Sequence, residues 1–333
     1  ASGLAAVPTA RLPVSPVGDY THCPLLRSLS DRVAPMETGL SRPVRLRCED
    51  SHGEGHSIMG KPENVRPDAV MEQVFDVINA RLRTRRGARS MPLRLRGYVV
   101  VPLDENTGLL EFVDNALSLG SYLLDRSSST RASAHARYRP ADWEHRECRQ
   151  RMERAWKRGV RAEQVEALRQ VCANFRPVFR HVLRELWPSA ADWAARRAAY
   201  AQSLAAASMA GYVLGIGDRH TENILVDART AEVVHIDFGL VFERGTMQKT
   251  PERVPFRLTR DVADPLGVRG VGGEFTQCAV LALSMLRHSR DLLLSSLEIV
   301  LYDPLYNAFL MPDEVLERAR RRAAGAGAGA GEE

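Results

Sequence analysis

The stretch GDRHTENILVDARTAEVVHIDFG, residues 217–239, gathers Asp218, His220, Asn223, His235 and Asp237 into one short span. Polar groups of this kind are poor core material unless each has a partner or a task. Two short apolar runs, NILV (223–226) and VVHID (233–237), flank the turn-forming DARTAE, and that pattern predicts a β-hairpin. With the loop centred near 229–230, Val226 pairs near Val233, and Asn223 falls beside Ile236 or Asp237. The hairpin then carries Asn223 and Asp237 to one end, and Asp218 and His220 stand just ahead of the first strand at that same end. An amide oxygen beside a carboxylate is a hard-oxygen pair suited to Mg²⁺ held together with phosphates. Phosphoryl transfer asks for charge neutralised on phosphate oxygens and an aligned acceptor hydroxyl. Asp218 is placed to accept the hydroxyl proton, and His220 to stabilise charge developing on the transferred group. The bland alternatives are a turn cap for Asp218 and a satisfied core histidine for His235. The core role is the stronger reading for His235; coincidence is a poor account of the other four.

Working outward, ADWAARRAAYAQSLAAASMAGYVLG (191–215) reads as a long Ala-rich helix that delivers this stretch. Further upstream, residues 143–175 read as one or two charged helices, LSLGSYLLD (117–125) as the start of a helix, and 126–140 as a polar loop. Downstream, helices are expected near 274–290 and 291–302, then a low-complexity tail, 313–333, expected to be disordered. The N-terminal third differs. Residues 1–60 are broken by Pro and Gly into short strands and turns, and VRLRC (44–48) alternates as a strand does. DAVMEQVFDVINARL (68–82) is a helix with Val70, Met71, Val74, Phe75, Ile78 and Leu82 on one face. LRGYVVVPL (95–103) reads as a buried strand, joined through DENTG to a second strand, LLEFV (109–113). The basic run at 81–96 reads as a solvated connection in preference to a nucleic-acid patch. The fold class is α+β, with a small β-rich lobe ahead of a larger helical one.

Composition sets outer bounds. The 333 residues are 44% hydrophobic and carry a formal net charge of +5, which suits a protein that handles anions without demanding nucleic acid. Cys23, Cys48, Cys148, Cys172 and Cys278 are scattered and form no C-x-x-C pair, which argues against a structural zinc site and favours a reducing intracellular setting. No apolar run reaches membrane-spanning length, and the N-terminus lacks a signal-peptide pattern. Lysine occurs only at 61, 157 and 249.

GDRHTEN followed by HIDFG resembles the catalytic and metal-binding loops of the phosphatidylinositol 3-kinase-related protein kinases. The order D-R-H-x-x-N differs from the H-R-D-x-x-x-x-N of ordinary protein kinases. Residues 7–20, 64–75, 98–112, 137–143, 174–180 and 254–262 resemble that family too, and GVRGVGGEF (267–275) and LYDPLYNAF (301–309) are similar to its ataxia-telangiectasia mutated branch. The resemblance implies a two-lobed protein-kinase-like fold, with an N-lobe at 1–113 ending in the hinge and a C-lobe at 114–312. It implies a protein serine/threonine kinase that uses ATP with Mg²⁺ or Mn²⁺. Asp218 matches the catalytic base, His220 its partner at the transferred phosphate, and Asn223 and Asp237 the metal ligands. Phe238 and Gly239 complete a DFG-like turn, and residues 240–257 match the activation loop. Backbone groups of Glu111 and Val113 would bond adenine. Phe112 would offer the base an aromatic face, and Tyr98 would line the inner pocket; plain core aromatics are the alternative for both. The implied partners are proteins carrying Ser or Thr followed by Gln, with regulatory subunits or a homodimer formed through regions outside this chain, and neither nucleic acid nor membrane bound directly. A nuclear address and a part in DNA-damage signalling follow from the resemblance alone.

The sequence departs from the family at the phosphate-binding lysine, which relatives place one residue before a Gly. Here the order is Gly60 then Lys61. A one-residue shift on a strand turns a side chain to the opposite face; a bulge at Gly60 would restore its aim. Lys61 is expected to reach the α- and β-phosphates, oriented by Glu63 and Asp68. The phosphate loop should lie near 25–39, with Ser28 and Ser30 as candidate contacts. The aromatic-rich C-terminal segment of relatives and their long helical region ahead of the kinase have no counterpart, so the chain reads as a kinase fragment or a diverged or truncated product. The competing readings are a catalytically weak scaffold, a phosphoinositide kinase and, from His235-x-Asp237, a metal-dependent phosphoesterase. The last leaves the hinge and Lys61 without a purpose, and residues 240–257 lack the dense basic run a lipid kinase would use.

Overall fold

The computed structural model describes residues 26–36, 42–84, 91–124, 132–242, 244–247 and 252–302. Cys23, Lys249, the tail at 313–333, the blocks at 7–20 and 303–309, and residue 25 and residues 37–39 of the expected phosphate loop lie outside the described residues. The chain divides into two compact units. One comprises residues 1–78, 99–112 and 287–333, and the other residues 79–98 and 113–286. The first is rich in β-structure and the second is larger and mostly helical, the α+β, two-lobed kinase-like architecture expected from the sequence.

In the first unit, β1 (Leu26–Pro35), β2 (Val44–Asp50) and β3 (Gly55–Lys61) precede α1 (Arg66–Thr84), whose residues to 78 belong to this unit. β4 (Val100–Pro102) and β5 (Gly108–Glu111) complete an antiparallel sheet of order β1-β2-β3-β5-β4. Asp50 closes the β2–β3 turn by accepting the His52 and Glu54 N–H groups, each at 2.9 Å, and His56 bonds its other oxygen. α1 buries the expected face, Val70, Met71, Val74, Phe75, Ile78 and Leu82. Gly108 sits where the chain passes Val65 so closely that a β-carbon would run into that side chain.

The expectation of one buried strand over 95–103 needs correcting. Only 100–102 forms a strand, and Val101 is 45% exposed. Within the second unit the backbone of Leu95 is taken up by the Asn79 amide, which donates to its carbonyl at 2.9 Å and accepts its N–H at 2.8 Å. A side chain therefore satisfies groups that a strand ladder would have used. Leu93, Leu95 and Tyr98 are nonetheless buried there. Of the basic run, Arg94 pairs with Glu232 at 3.0 Å, and Arg81, Arg83 and Arg94 are exposed.

The second unit continues with β6 (Ala116–Ser118) and α2 (Leu119–Leu124). The helix therefore starts at 119 and not 117, because residues 116–118 pair with a later strand. The polar stretch 126–140 also holds α3 (Ala134–Tyr138), capped by the Ser133 hydroxyl, which accepts the Ala136 N–H. Two helices, α4 (His145–Arg158) and α5 (Arg161–Asn174), fill the charged segment, and α6 (Arg180–Leu186) leads to α7 (Ala190–Leu214). Ser189 caps α7 by accepting the Asp192 N–H, and Gly215 ends it in the left-handed region at φ +59°. Ala dominates the buried stretch of α7, so neighbouring backbone can approach closely. β7 (Ile224–Asp227) and β8 (Val233–His235) form the predicted hairpin and join β6 in a sheet of order β6-β7-β8. Short helix α8 (Arg260–Ala263) and then α9 (Glu274–His288) and α10 (Arg290–Tyr302) follow; α10 belongs to the first unit. Among the described residues no helix is long and apolar enough to cross a membrane, and Cys48, Cys148, Cys172 and Cys278 form no disulfide.

Candidate active site

The hairpin pairs as its spacing predicts: Val226 faces Val233, Leu225 faces Val234 and Ile224 faces His235. The Ile236 N–H donates to the Asn223 carbonyl at 3.1 Å, which extends the pairing to the open end. At the closed end Asp227 accepts the Arg229 and Thr230 N–H groups at 2.7 and 3.1 Å, the side-chain turn expected of an Asp there. α7 holds the hairpin in place through the Ser203 hydroxyl, which accepts the Val233 N–H at 2.9 Å.

Asp218 adopts φ +54°, and Asp237 φ +63°. Left-handed conformations are disfavoured for residues with a β-carbon, so the surrounding bonds must hold them. The Asp218 carbonyl accepts the His220 N–H at 2.9 Å and the Asn223 Nδ2 at 3.0 Å. Its carboxylate makes no hydrogen bond or ion pair with a described residue. Asn223 is 5% exposed, and with its nitrogen committed to Asp218 its Oδ1 is the remaining acceptor. His220 is exposed, and its Nδ1 accepts the Glu222 N–H at 3.2 Å. A neutral imidazole in that arrangement carries its proton on Nε2, which presents a donor outward. Asp237 Oδ1 accepts the Gly239 N–H at 3.3 Å, shaping the DFG-like turn. Phe238 is fully buried and stacks on Tyr98, the ring centroids 6.3 Å apart. Tyr98 therefore lies beside that turn and is a core aromatic. His235 is half-buried on β8; burial and then the Arg219 charge push its pKa down to about 3, which keeps it neutral.

Arg219 carries no functional signal of its own in the sequence. It is 8% exposed, and its guanidinium donates to the carbonyls of Gly217 at 2.7 Å, Ile236 at 2.8 Å and Asp237. It also lies 5.5 Å from the centre of the Phe238 ring. One planar cation thus staples the loop before β7 to the loop after β8. Its own carbonyl accepts Arg257 Nη1 at 3.3 Å. The only hint in the sequence was an arginine inside a motif of other chemistry.

The remaining candidates lie in the β-rich unit, apart from Val113. β3 runs through Gly60 and Lys61 in unbroken register with β5, Gly60 facing Leu109 and Lys61 facing Gly108. The suggested bulge at Gly60 is not formed. Lys61 consequently shares the sheet face of Met59 and Leu110, and Gly60 the face of Ile58 and Glu111. Lys61 forms an ion pair with Glu63, one of its two expected partners. Asp68 is buried in the first turn of α1. At the expected hinge the Glu111 N–H donates to the Val99 carbonyl at 2.7 Å, and the Phe112 N–H to the Ser57 carbonyl at 2.9 Å. The Val113 N–H makes no hydrogen bond among the described residues. Arg45 covers one face of the Phe112 ring at 4.1 Å. Ser28 and Ser30 are exposed on β1, whose pairing is irregular between Leu29 and Val33; Ser30 accepts the Arg32 N–H at 3.2 Å.

Among the described residues, no three His, Cys, Asp or Glu side chains converge as a metal centre. The pair Asn223 and Asp237 offers an amide oxygen and a carboxylate. That donor set fits a cation such as Mg²⁺, which takes one or two protein carboxylates and completes its shell with water and phosphate oxygens.

The sequence profile of the phosphatidylinositol 3- and 4-kinases matches residues 56–310. The chain belongs to that family. Within the phosphatidylinositol 3- and 4-kinase family its similarity runs to the related protein kinases of the ataxia-telangiectasia mutated branch. It is 42% identical over 321 residues to the serine/threonine-protein kinase ATM of Arabidopsis thaliana, covering 95% of this chain and 8% of the relative. Against the serine-protein kinase ATM of Sus scrofa the identity is 38%, covering 95% of this chain and 10% of the relative. A solved structure described as the FAT and kinase domain of CtTel1 superposes with a TM-score of 0.82 at 35% identity, over 94% of this chain and 22% of that one. The chain thus spans about a tenth of the length of such curated relatives.

Proposed function

We propose that this chain is the catalytic domain of a protein serine/threonine kinase that transfers the terminal phosphate of ATP, with Mg²⁺ or Mn²⁺, to Ser or Thr of protein substrates, preferentially before Gln. The observation that carries this reading is the open end of the β7–β8 hairpin. There Asn223 and Asp237 frame one strand pair, and Asp218, held by Asn223, keeps its carboxylate uncommitted. Asp218 serves as the base that takes the proton of the acceptor hydroxyl. His220 offers its Nε2–H to the transferred group. Asn223 and Asp237 hold the cation, which when bound neutralises charge on the phosphate oxygens. The uncommitted Val113 N–H and the Glu111 carbonyl bind adenine, Phe112 packs on it, and Tyr98 backs the DFG-like turn. Lys61, paired with Glu63 and supported by Asp68, serves the α- and β-phosphates. The lobes are assigned to 1–113 and 114–312, and the tail to 313–333. A part in DNA-damage signalling, a nuclear address and a homodimer are proposed from the relatives, one of which is described as a Tel1 dimer with C2 symmetry.

A second reading, a nucleotide-binding scaffold with weak turnover, draws on the unbroken register at Gly60, which sets Lys61 on the Leu110 face. One assay separates them: Mg²⁺-dependent transfer from ATP to a Ser-Gln peptide by the parent, Asp218→Ala and Lys61→Ala. The kinase reading expects turnover by the parent, a loss on the order of a hundredfold in Asp218→Ala at unchanged ATP affinity, and weaker ATP binding in Lys61→Ala. ATP binding without transfer by the parent favours the scaffold. Full turnover by Asp218→Ala removes the base assignment.

A further inference from the structure

The backbone of Asp218 is held from both sides. Its carbonyl is bound by groups of its own motif, but its N–H donates to Glu252 Oε1, at 2.7 Å, from a residue 34 positions downstream. Glu252 opens the last part of the 240–257 loop. Its own N–H donates to the Gly245 carbonyl at 3.1 Å, which ties it back to the start of that loop. The receptacle is built for a carboxylate. A β-carbon at Gly217 or at Gly245 would run into the Glu252 carboxyl, so two glycines leave the room it occupies. The Gly217 N–H in turn donates to the Leu240 carbonyl at 2.8 Å, fixing the wall of this cradle. Nothing in the candidate machinery above uses Glu252.

We propose that Glu252 is a positioning residue for the proposed base: its carboxylate, seated between Gly217 and Gly245, holds the Asp218 N–H and so the left-handed turn from which the Asp218 carboxylate projects. The inference rests on the kinase reading for its catalytic consequence, but not for the contact itself. An ionised acceptor makes the stronger kind of hydrogen bond to a backbone N–H. A residue held at φ +54° relies on such bonds, because its own preference is for another region. The geometry of the base therefore follows the seating of residues 252–257, and whatever lifts Glu252 from its cradle also loosens Asp218.

The test uses the full chain with Glu252→Ala and Glu252→Gln, and two readouts. The first is hydrogen exchange at residue resolution across 214–226. The Asp218 amide is expected to be protected in the parent, to exchange about tenfold faster or more in Glu252→Ala, and to stay protected in Glu252→Gln, whose Oε1 still accepts. The second is steady-state phosphate transfer. Glu252→Ala is expected to lower kcat on the order of a hundredfold, the effect of a misplaced reacting group, with KM for ATP and for peptide unchanged. Glu252→Gln is expected to recover most of that loss. Unchanged Asp218 exchange in Glu252→Ala overturns the proposal. So does a rise in peptide KM at constant kcat, which assigns Glu252 to the substrate. If the parent protein transfers no phosphate, the kinase reading fails, while the exchange data still decide whether Glu252 holds Asp218. If Glu252→Ala does not fold, Glu252→Asp, whose shorter side chain draws the carboxylate back from the Asp218 N–H, takes its place: faster Asp218 exchange with lowered kcat supports the proposal, and parent-like exchange overturns it.

Discussion

Replacing Arg219 by alanine removes the cation that staples the two loops of the candidate site. Besides the longer bond to the Asn223 carbonyl at 3.4 Å, three carbonyls, those of Gly217, Ile236 and Asp237, lose a charged donor. Hydrogen bonds to charged groups contribute about 1.5–3 kcal/mol each, and an abandoned buried acceptor costs about 1–3 kcal/mol. Gly217 is buried, whereas Ile236 and Asp237 are half-buried, so water replaces part of what the guanidinium supplied. Taking about 1 kcal/mol per carbonyl after that replacement gives roughly 3 kcal/mol for the set. For a domain of this size each kcal/mol moves the melting temperature by about 2–4 °C, so Arg219→Ala should melt about 6–12 °C lower. Differential scanning calorimetry on the full chain measures it. Arg219→Lys serves as a control, since one ammonium cannot reproduce a planar fork with three directed bonds, and it should fall between the two. A melting temperature for Arg219→Ala within about 2 °C of the parent would refute the staple, because the loss would then be below roughly 1 kcal/mol.

Further outcomes are expected elsewhere in the molecule. Gly108→Ala drives a methyl group into Val65, which is fully buried, and should cost about 1–3 kcal/mol by overpacking; a thermal melt no lower than the parent's would show that β5 can give way. His135 stacks on Phe175 at 3.8 Å, and neither ring nitrogen has a hydrogen-bond partner among the described residues. Burial, the largest cause, lowers its pKa. Its contribution is fully present above the ordinary histidine value of about 6.5 and is lost as pH falls below that value toward the folded one. The drop in melting temperature between pH 7.5 and 5.5, two ordinary buffers on either side of about 6.5, should therefore be smaller in His135→Phe than in the parent. Equal drops would mean that His135 titrates alike folded and unfolded.

How much of this could be read beforehand depended on distance along the chain. The β7–β8 hairpin was legible because alternation with period two and an Asp-led turn act within a dozen residues, and Val226 does face Val233. The helix at 190–214 was legible because an alanine-rich run with Ser before it and Gly after it carries its own start and stop signals. The stretch at 95–103 misled for the opposite reason. Its β-branched residues favour a strand, but Asn79, sixteen positions upstream, claims the backbone of Leu95. α3 was missed inside a polar run because its stabilising cap is a single Ser133 hydroxyl among many candidate serines.

Which groups could do chemistry, a carboxylate, an imidazole, an amide and a second carboxylate, follows from the order of residue types alone, because that order is local to one motif. Tertiary structure alone decided how they are aimed. The ladder through Gly60 sets the face of Lys61. Arg219 finds carbonyls on the far side of a hairpin. Glu252 reaches the Asp218 amide across 34 residues. A hydrogen bond forms only where packing brings donor and acceptor within about 3 Å, and no periodicity in the chain records that.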